Sequence, residues 1–334
     1  MRQTTDFTLG RITVPLLRFA GPVLFALFLQ AMYGAVDLMV VGRFAQPKNV
    51  SAVSTGSQLM MTLSGMMSSL AMGLTVFLGQ KMGEGRSGEG GRIVGTGITF
   101  FLTLGVAFSV LVPALAGVLA GVLHAPQEAF ADTVRYVRIC GAGSLVIIAY
   151  NLIGSIFRAL GDSRTPLITV MIACAVNIAG DLVLVAVCGM GAAGAAIATV
   201  AAQLVSVVLS LILIRRRGLP FPFDKTMLKP QAAVLKRMLA LGFPIALQDV
   251  LVNVSFLVIA AIVNSLGVII SAGVGVAEKV CAFIMLVPAS FMQSMSAFVA
   301  QNHGAARSTC LPSGWPLPAR HCFRSRSALP RCGS

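Results

Sequence analysis

Four acidic residues fall inside long apolar stretches of this sequence: Asp37, Asp181, Asp249 and Glu278. An ionisable group at membrane depth costs about 2.5 kcal/mol or more, so such residues normally face an interior cavity and carry function. Asp37 and Asp181 each lie in the last third of an apolar run, and runs one and five point the same way. Both carboxylates are therefore expected at one level, in the outer half of a membrane. Asn177 precedes Asp181 by four residues and shares its helical face. Thr199 lies about two turns into the following run, at comparable depth. Two carboxylates flanked by an amide and a hydroxyl suit a proton or a sodium ion. The plainer alternative is a set of helix–helix hydrogen bonds.

Other polar residues carry less. Asp249 and Glu278 are weaker candidates, Glu278 having Lys279 beside it. Taken alone, Tyr136 and Asn151 read as polar packing residues and His124 as a loop residue. The methionines crowding Met60–Met72 read as packing. Ala159-Leu160-Gly161-Asp162 has no second acid to form a catalytic pair. The phosphate-cradling pattern G-x-x-x-x-G-K-[ST] is absent, and no His or C-x-x-C cluster offers a metal site. An enzyme is not expected.

The elements that must position these residues are helices in a bilayer. Of the 334 residues 57% are hydrophobic and 11% charged, with a mean hydropathy of +0.89. A soluble domain carries roughly 25% charged residues. The apolar runs reach the ~20 residues a spanning helix needs and lack the two-residue alternation of a membrane barrel. Eight spans are expected, at Val14–Val41, Val50–Leu78, Ile93–Leu123, Val134–Phe157, Leu167–Val187, Ala192–Ile214, Met238–Ser265 and Ile269–Val299. The first lacks a small-residue cleavage site and is no signal peptide.

The net charge of +14 does not indicate nucleic acid, because the basic residues lie between apolar spans. Placing the N-terminus in the cytoplasm puts 15 Lys and Arg at inner segments and 4 at outer ones, the asymmetry of an inner-membrane protein. Cys140, Cys174, Cys188 and Cys281 sit singly in or beside apolar runs, where Cys acts as a small hydrophobe.

An internal repeat organises the chain. Gly21-Pro22 opens the first apolar helix, and Gly242-Phe243-Pro244 opens the seventh in the same way. Val50-Ser51-Ala52 matches Ile270-Ser271-Ala272, and Gly79-Gln80-Lys81-Met82-Gly83 matches Ala300-Gln301-Asn302-His303-Gly304 at nearly the same offset. These landmarks imply an amino-terminal six-helix lobe over 1–218, a basic linker over 219–237, and a partial second lobe of two helices over 238–306. Units with an even number of helices are parallel repeats about an axis along the membrane normal. About four more helices would complete the second unit. Residues 307–334 hold the only Trp, three of seven Cys and five Arg without an acid. They read as an aberrant or out-of-frame ending, or as a short disordered tail.

Together these residues resemble the multidrug and toxic compound extrusion (MATE) transporters over about 10–306, with a pattern like the DinF-like branch. Gln30, Tyr33 and Asp37-Leu38-Met39-Val40-Val41-Gly42-Arg43 resemble the family's Q…D…VGR pattern, and Arg158-Ala159-Leu160-Gly161-Asp162 begins its R-x-x-G-D-x-x-x-P loop. Asn177…Asp181 with Gly191–Thr199, and Gln301-Asn302-His303-Gly304-Ala305, match two further signatures.

The resemblance implies an all-α, twelve-helix, two-lobed antiporter that exports cationic or amphipathic compounds against a proton or sodium gradient, without another cofactor. It implies a cation-coupling set of Asp37, Asn177, Asp181 and Thr199, supported by Tyr136, Asn151 and Gln30, with a hinge at Pro22 in helix one. The glutamate that one branch carries on helix seven is missing, Val252 and Asn253 standing nearby. Two other readings are a lipid-linked precursor or polysaccharide flippase of the same superfamily, and a truncated remnant that does not transport.

Overall fold

The computed structural model describes residues 13–265 and 280–305, together with Phe7 and the isolated positions 274 and 277. Every regular element among them is helical. Glu278, the start of the eighth expected span and the 307–334 segment lie outside the described residues.

The chain opens with α1 (Thr13–Phe44), α2 (Pro47–Gly83) and α3 (Ser87–Ala114). A short α4 (Ala116–Val122) leads to α5 (Gln127–Ala142) and α6 (Ser144–Ala159). Then come α7 (Arg164–Asp181) and α8 (Gly191–Arg217). The second unit contributes α9 (Ala232–Ser265) and α10 (Leu286–Gly304). Seven helical segments are long and apolar enough to cross a membrane, and the bent pair α5–α6 makes an eighth. With a rise of about 1.5 Å per residue, the 37 residues of α2 run about 55 Å, well beyond a ~30 Å hydrocarbon core, so it tilts or projects.

The distribution of side chains is that of a protein solvated by lipid. Met39, Met61 and Val187 are exposed, while Thr96, Asn177, Asp181, Ser206 and Ser294 are buried. Small and polar residues hold the helices together where lipid tails are as apolar as leucine.

Two expected spans prove to be broken. The third divides into α3 and α4 just after Pro113, which cannot donate a helical hydrogen bond. The fourth bends by 52° at Gly143, between α5 and α6. The bend frees N–H groups at the start of α6. Ser109 Oγ accepts one of them, from Leu145, at 3.0 Å. Just after Asp181 the seventh helix widens into a π-helical turn, Leu182–Val187, a local distortion that recurs at functional positions.

The stretch between the units is strapped to α3. Thr99 donates to the Leu228 carbonyl at 2.5 Å, and Phe221 is buried in the cluster under α2, α3 and α6. The last turn of the expected linker is already helical, since α9 begins at Ala232. Across the units, α2 packs closely on α9 and α10. Gly73 and Gly242 meet backbone to backbone, leaving no room for a Cβ on either. α1 lies between α7 and α10 and runs unbroken through Pro22. Phe7 and Phe19 stack edge-on there at 5.1 Å, against Phe298.

Candidate functional site

Four of the expected residues come together where α1, α7 and α8 meet. Asp37 projects from α1, Asn177 and Asp181 from the last two turns of α7, and Thr199 from α8. Thr199 Oγ1 donates to Asp37 Oδ2 at 3.2 Å, and Asn177 Nδ2 reaches Thr199 Oγ1 at 3.5 Å. Asn177 and Asp181 also stand within hydrogen-bond reach of Asp37. The cluster is sealed, with Asp37 5% exposed and Asn177 and Asp181 fully buried.

The donors do not satisfy the acceptors. Among the described residues, Asp37 Oδ1, Asn177 Oδ1 and both carboxyl oxygens of Asp181 are buried without a separate hydrogen-bond donor. Two carboxyl groups this close do not both stay ionised, and one proton held between them makes one group the donor to the other. A buried charge left unpaired is costly, and no Lys, Arg or His among the described residues forms an ion pair with either aspartate. Convergent oxygens lacking a donor fit a proton, or a hard cation that takes oxygen ligands. No group of three His, Cys, Asp or Glu among the described residues provides a richer metal site.

The remaining expected residues divide. Tyr136 on α5 is buried beside Cys140, with its ring against Gly56. Gln30 and Asn151 are placed elsewhere. Gln30 donates to the Tyr150 hydroxyl, and Asn151 donates to the Ile147 carbonyl at 2.9 Å. Both line a separate cavity of about 80 Å³ beside Arg158. Gln30 stands seven residues before Asp37, about 10 Å along the helix, and is therefore out of reach of the carboxylates.

Tyr33 and Gln203, absent from the set expected from the sequence, adjoin the site. Gln203 hydrogen-bonds the Tyr33 side chain, and both line a void of about 10 Å³ with Asn177 and Thr199. Their spacing was a usable signal: Tyr33 precedes Asp37 by four residues, and Gln203 follows Thr199 by four. Asp249 serves a different junction. It accepts a hydrogen bond from Ser69 Oγ and so ties α9 to α2.

A bundle with polar residues inside, apolar ones outside and an unpaired carboxylate pair at its centre defines a multi-pass helical membrane protein of transporter type. The MatE family model matches residues 22–183 and 244–311, more than half of the chain, and the chain belongs to that family, whose members are transporters and not enzymes. It is 29% identical over 296 residues to the probable multidrug resistance protein YoeA of Bacillus subtilis, covering 86% of this chain and 64% of that protein. It is 25% identical over 300 residues to the probable multidrug resistance protein YpnP of the same organism, covering 90% of this chain and 67% of that one. Its fold is that of a MOP superfamily transporter from Pyrococcus furiosus, with a TM-score of 0.85 at 18% identity over 91% of this chain and 68% of the other. The chain thus spans about two thirds of the length of the proteins it matches.

Proposed function

We propose that this chain is the ion-coupling part of a secondary transporter that exports cationic or amphipathic organic compounds, driven by inward movement of a proton or sodium ion. The carrying observation is the buried cluster of Asp37 Oδ1, Asn177 Oδ1 and the two Asp181 oxygens, which among the described residues has neither a separate donor nor a cationic side chain. A site of this kind gains most from binding a positive ion. An ion that enters it changes the packing of α1 against α7 and α8. Pro22 sits fifteen residues before Asp37, where a missing hydrogen bond makes α1 easiest to bend. The N-terminus is placed in the cytoplasm of a bacterial inner membrane on the charge asymmetry of the loops. The names of the two Bacillus relatives support drugs as the exported class.

The test is drug sensitivity of an efflux-deficient bacterium expressing the chain at a level verified by blotting. Resistance that disappears with Asp37→Asn at equal expression supports coupling through this carboxylate. Resistance that survives Asp37→Asn would place the coupling elsewhere, and no resistance at full membrane expression would refute export by this chain alone.

A further inference from the structure

The second cavity has a feature that the carboxylate site does not explain. Arg158 stands one residue before the end of α6, where a long basic side chain ordinarily extends off the helix toward water. It does the opposite. Its guanidinium folds back along α6, and Nη2 donates to Ser155 Oγ at 2.8 Å. Gly154, a turn earlier, provides the space: a Cβ there would sit 3.1 Å from Nη1. The charge is thereby turned into a cavity of about 80 Å³ lined by residues of α1, α2, α6, α7, α8 and α10.

Among the described residues, that cavity has no acid in its lining. The residues lining it include Gln30, Tyr150, Ser163 and Gln293, but neither Asp nor Glu. Among the described residues Arg158 forms no ion pair, and Ser155 takes one of its five N–H donors. The Tyr150 hydroxyl accepts from Gln30, which leaves its own hydrogen to donate. Arg158 is partly buried, and a guanidinium turned inward normally has a carboxylate opposite it. Here neutral donors surround a space several times the volume one water needs.

We propose that this cavity binds a small monovalent inorganic anion of chloride's kind, held by the Arg158 guanidinium with the neutral donors around it. Because Gln293 lies on α10, the anion would bridge the first helical unit to the second. The site is separate from the Asp37–Asp181 cluster and does not depend on the transport reading.

The experiment is thermal unfolding of the purified full chain in detergent, titrating sodium chloride against sodium gluconate at matched ionic strength. Specific binding raises the midpoint saturably, by about 3 °C or more once chloride is well above its dissociation constant. Arg158→Gln is expected to remove the chloride-specific rise. Gly154→Val keeps the charge but fills the space under the guanidinium, and is expected to weaken the rise at least tenfold in midpoint concentration. The second variant keeps the test decisive if Arg158→Gln does not fold. Equal stabilisation by gluconate, or a chloride response unchanged in both variants, overturns the proposal. So does stabilisation by phosphate or by an anionic lipid with none by chloride.

Discussion

Gly83 and Gly304 occupy matching positions in the two units, and each lies on the glutamine carbonyl of the other's helix. A Cβ on Gly83 would collide with the Gln301 carbonyl oxygen, and one on Gly304 with that of Gln80. Gln80 and Gln301 are themselves a matching pair, each three residues before its glycine. The repeat seen in the sequence is therefore a two-fold contact in space, where the ends of α2 and α10 cross.

Closing that seam requires glycine on both sides. Gly83→Ala and Gly304→Ala are each expected to destabilise the chain by about 1–3 kcal/mol, the usual cost of overpacking. The thermal unfolding midpoint in detergent checks this. Gly85, which has open space around it but a φ of +74°, is the control for strain without collision.

Asp181→Asn should have the opposite sign. The amide keeps the shape, cannot ionise, and can donate an N–H to the neighbouring Asp37 carboxylate. The unfolding midpoint at neutral pH is expected to rise by an amount equivalent to about 1 kcal/mol, while any ion dependence of that midpoint is lost. A fall in stability would overturn that sign.

Ser69 and Asp249 join the units within the membrane. Ser69→Ala leaves the aspartate without its hydroxyl donor and is expected to cost about 1–3 kcal/mol. Asp249→Asn, still able to accept that bond, should cost less. Comparing the two unfolding midpoints separates the hydrogen bond from the charge.

Beyond the end of α2, Glu84 is held below the ordinary carboxylate range, chiefly by the Lys81 ammonium bonded to it at 2.9 Å. A depressed value means that the stabilisation is present above the unfolded value of about 4.5 and lost as pH falls through the lower folded one. The pair is partly exposed at the end of the helix and salt screens it, so Glu84→Gln should cost less than about 1 kcal/mol. A midpoint compared at pH 7 and pH 3, in low and high salt, measures that difference.

Much of the architecture is legible in the residues alone. Runs of about 20 apolar residues specify spanning helices, because the need to satisfy backbone groups in lipid is local to each segment. The same local rule places Asn177 and Asp181 on one face. It does not reveal the bend at Gly143, since a glycine between Ala142 and Ser144 looks like any other small residue in a membrane helix. The bend depends on Ser109, more than thirty residues away, accepting the freed N–H.

The sequence by itself thus determined the helices, their repeat and which acids lie at membrane depth, all of which follow from residue type and the fixed rise of a helix, about 1.5 Å per residue. Only the tertiary structure decided how each helix is turned about its own axis. That rotation brought Asp37 to Asp181 and Thr199 and sent Gln30 and Asn151 to the cavity of Arg158. It turned the guanidinium inward over Gly154 instead of outward. The physical reason is that helices in lipid are oriented by close contacts between small residues, such as Gly73 with Gly242, and those contacts join positions far apart in the chain.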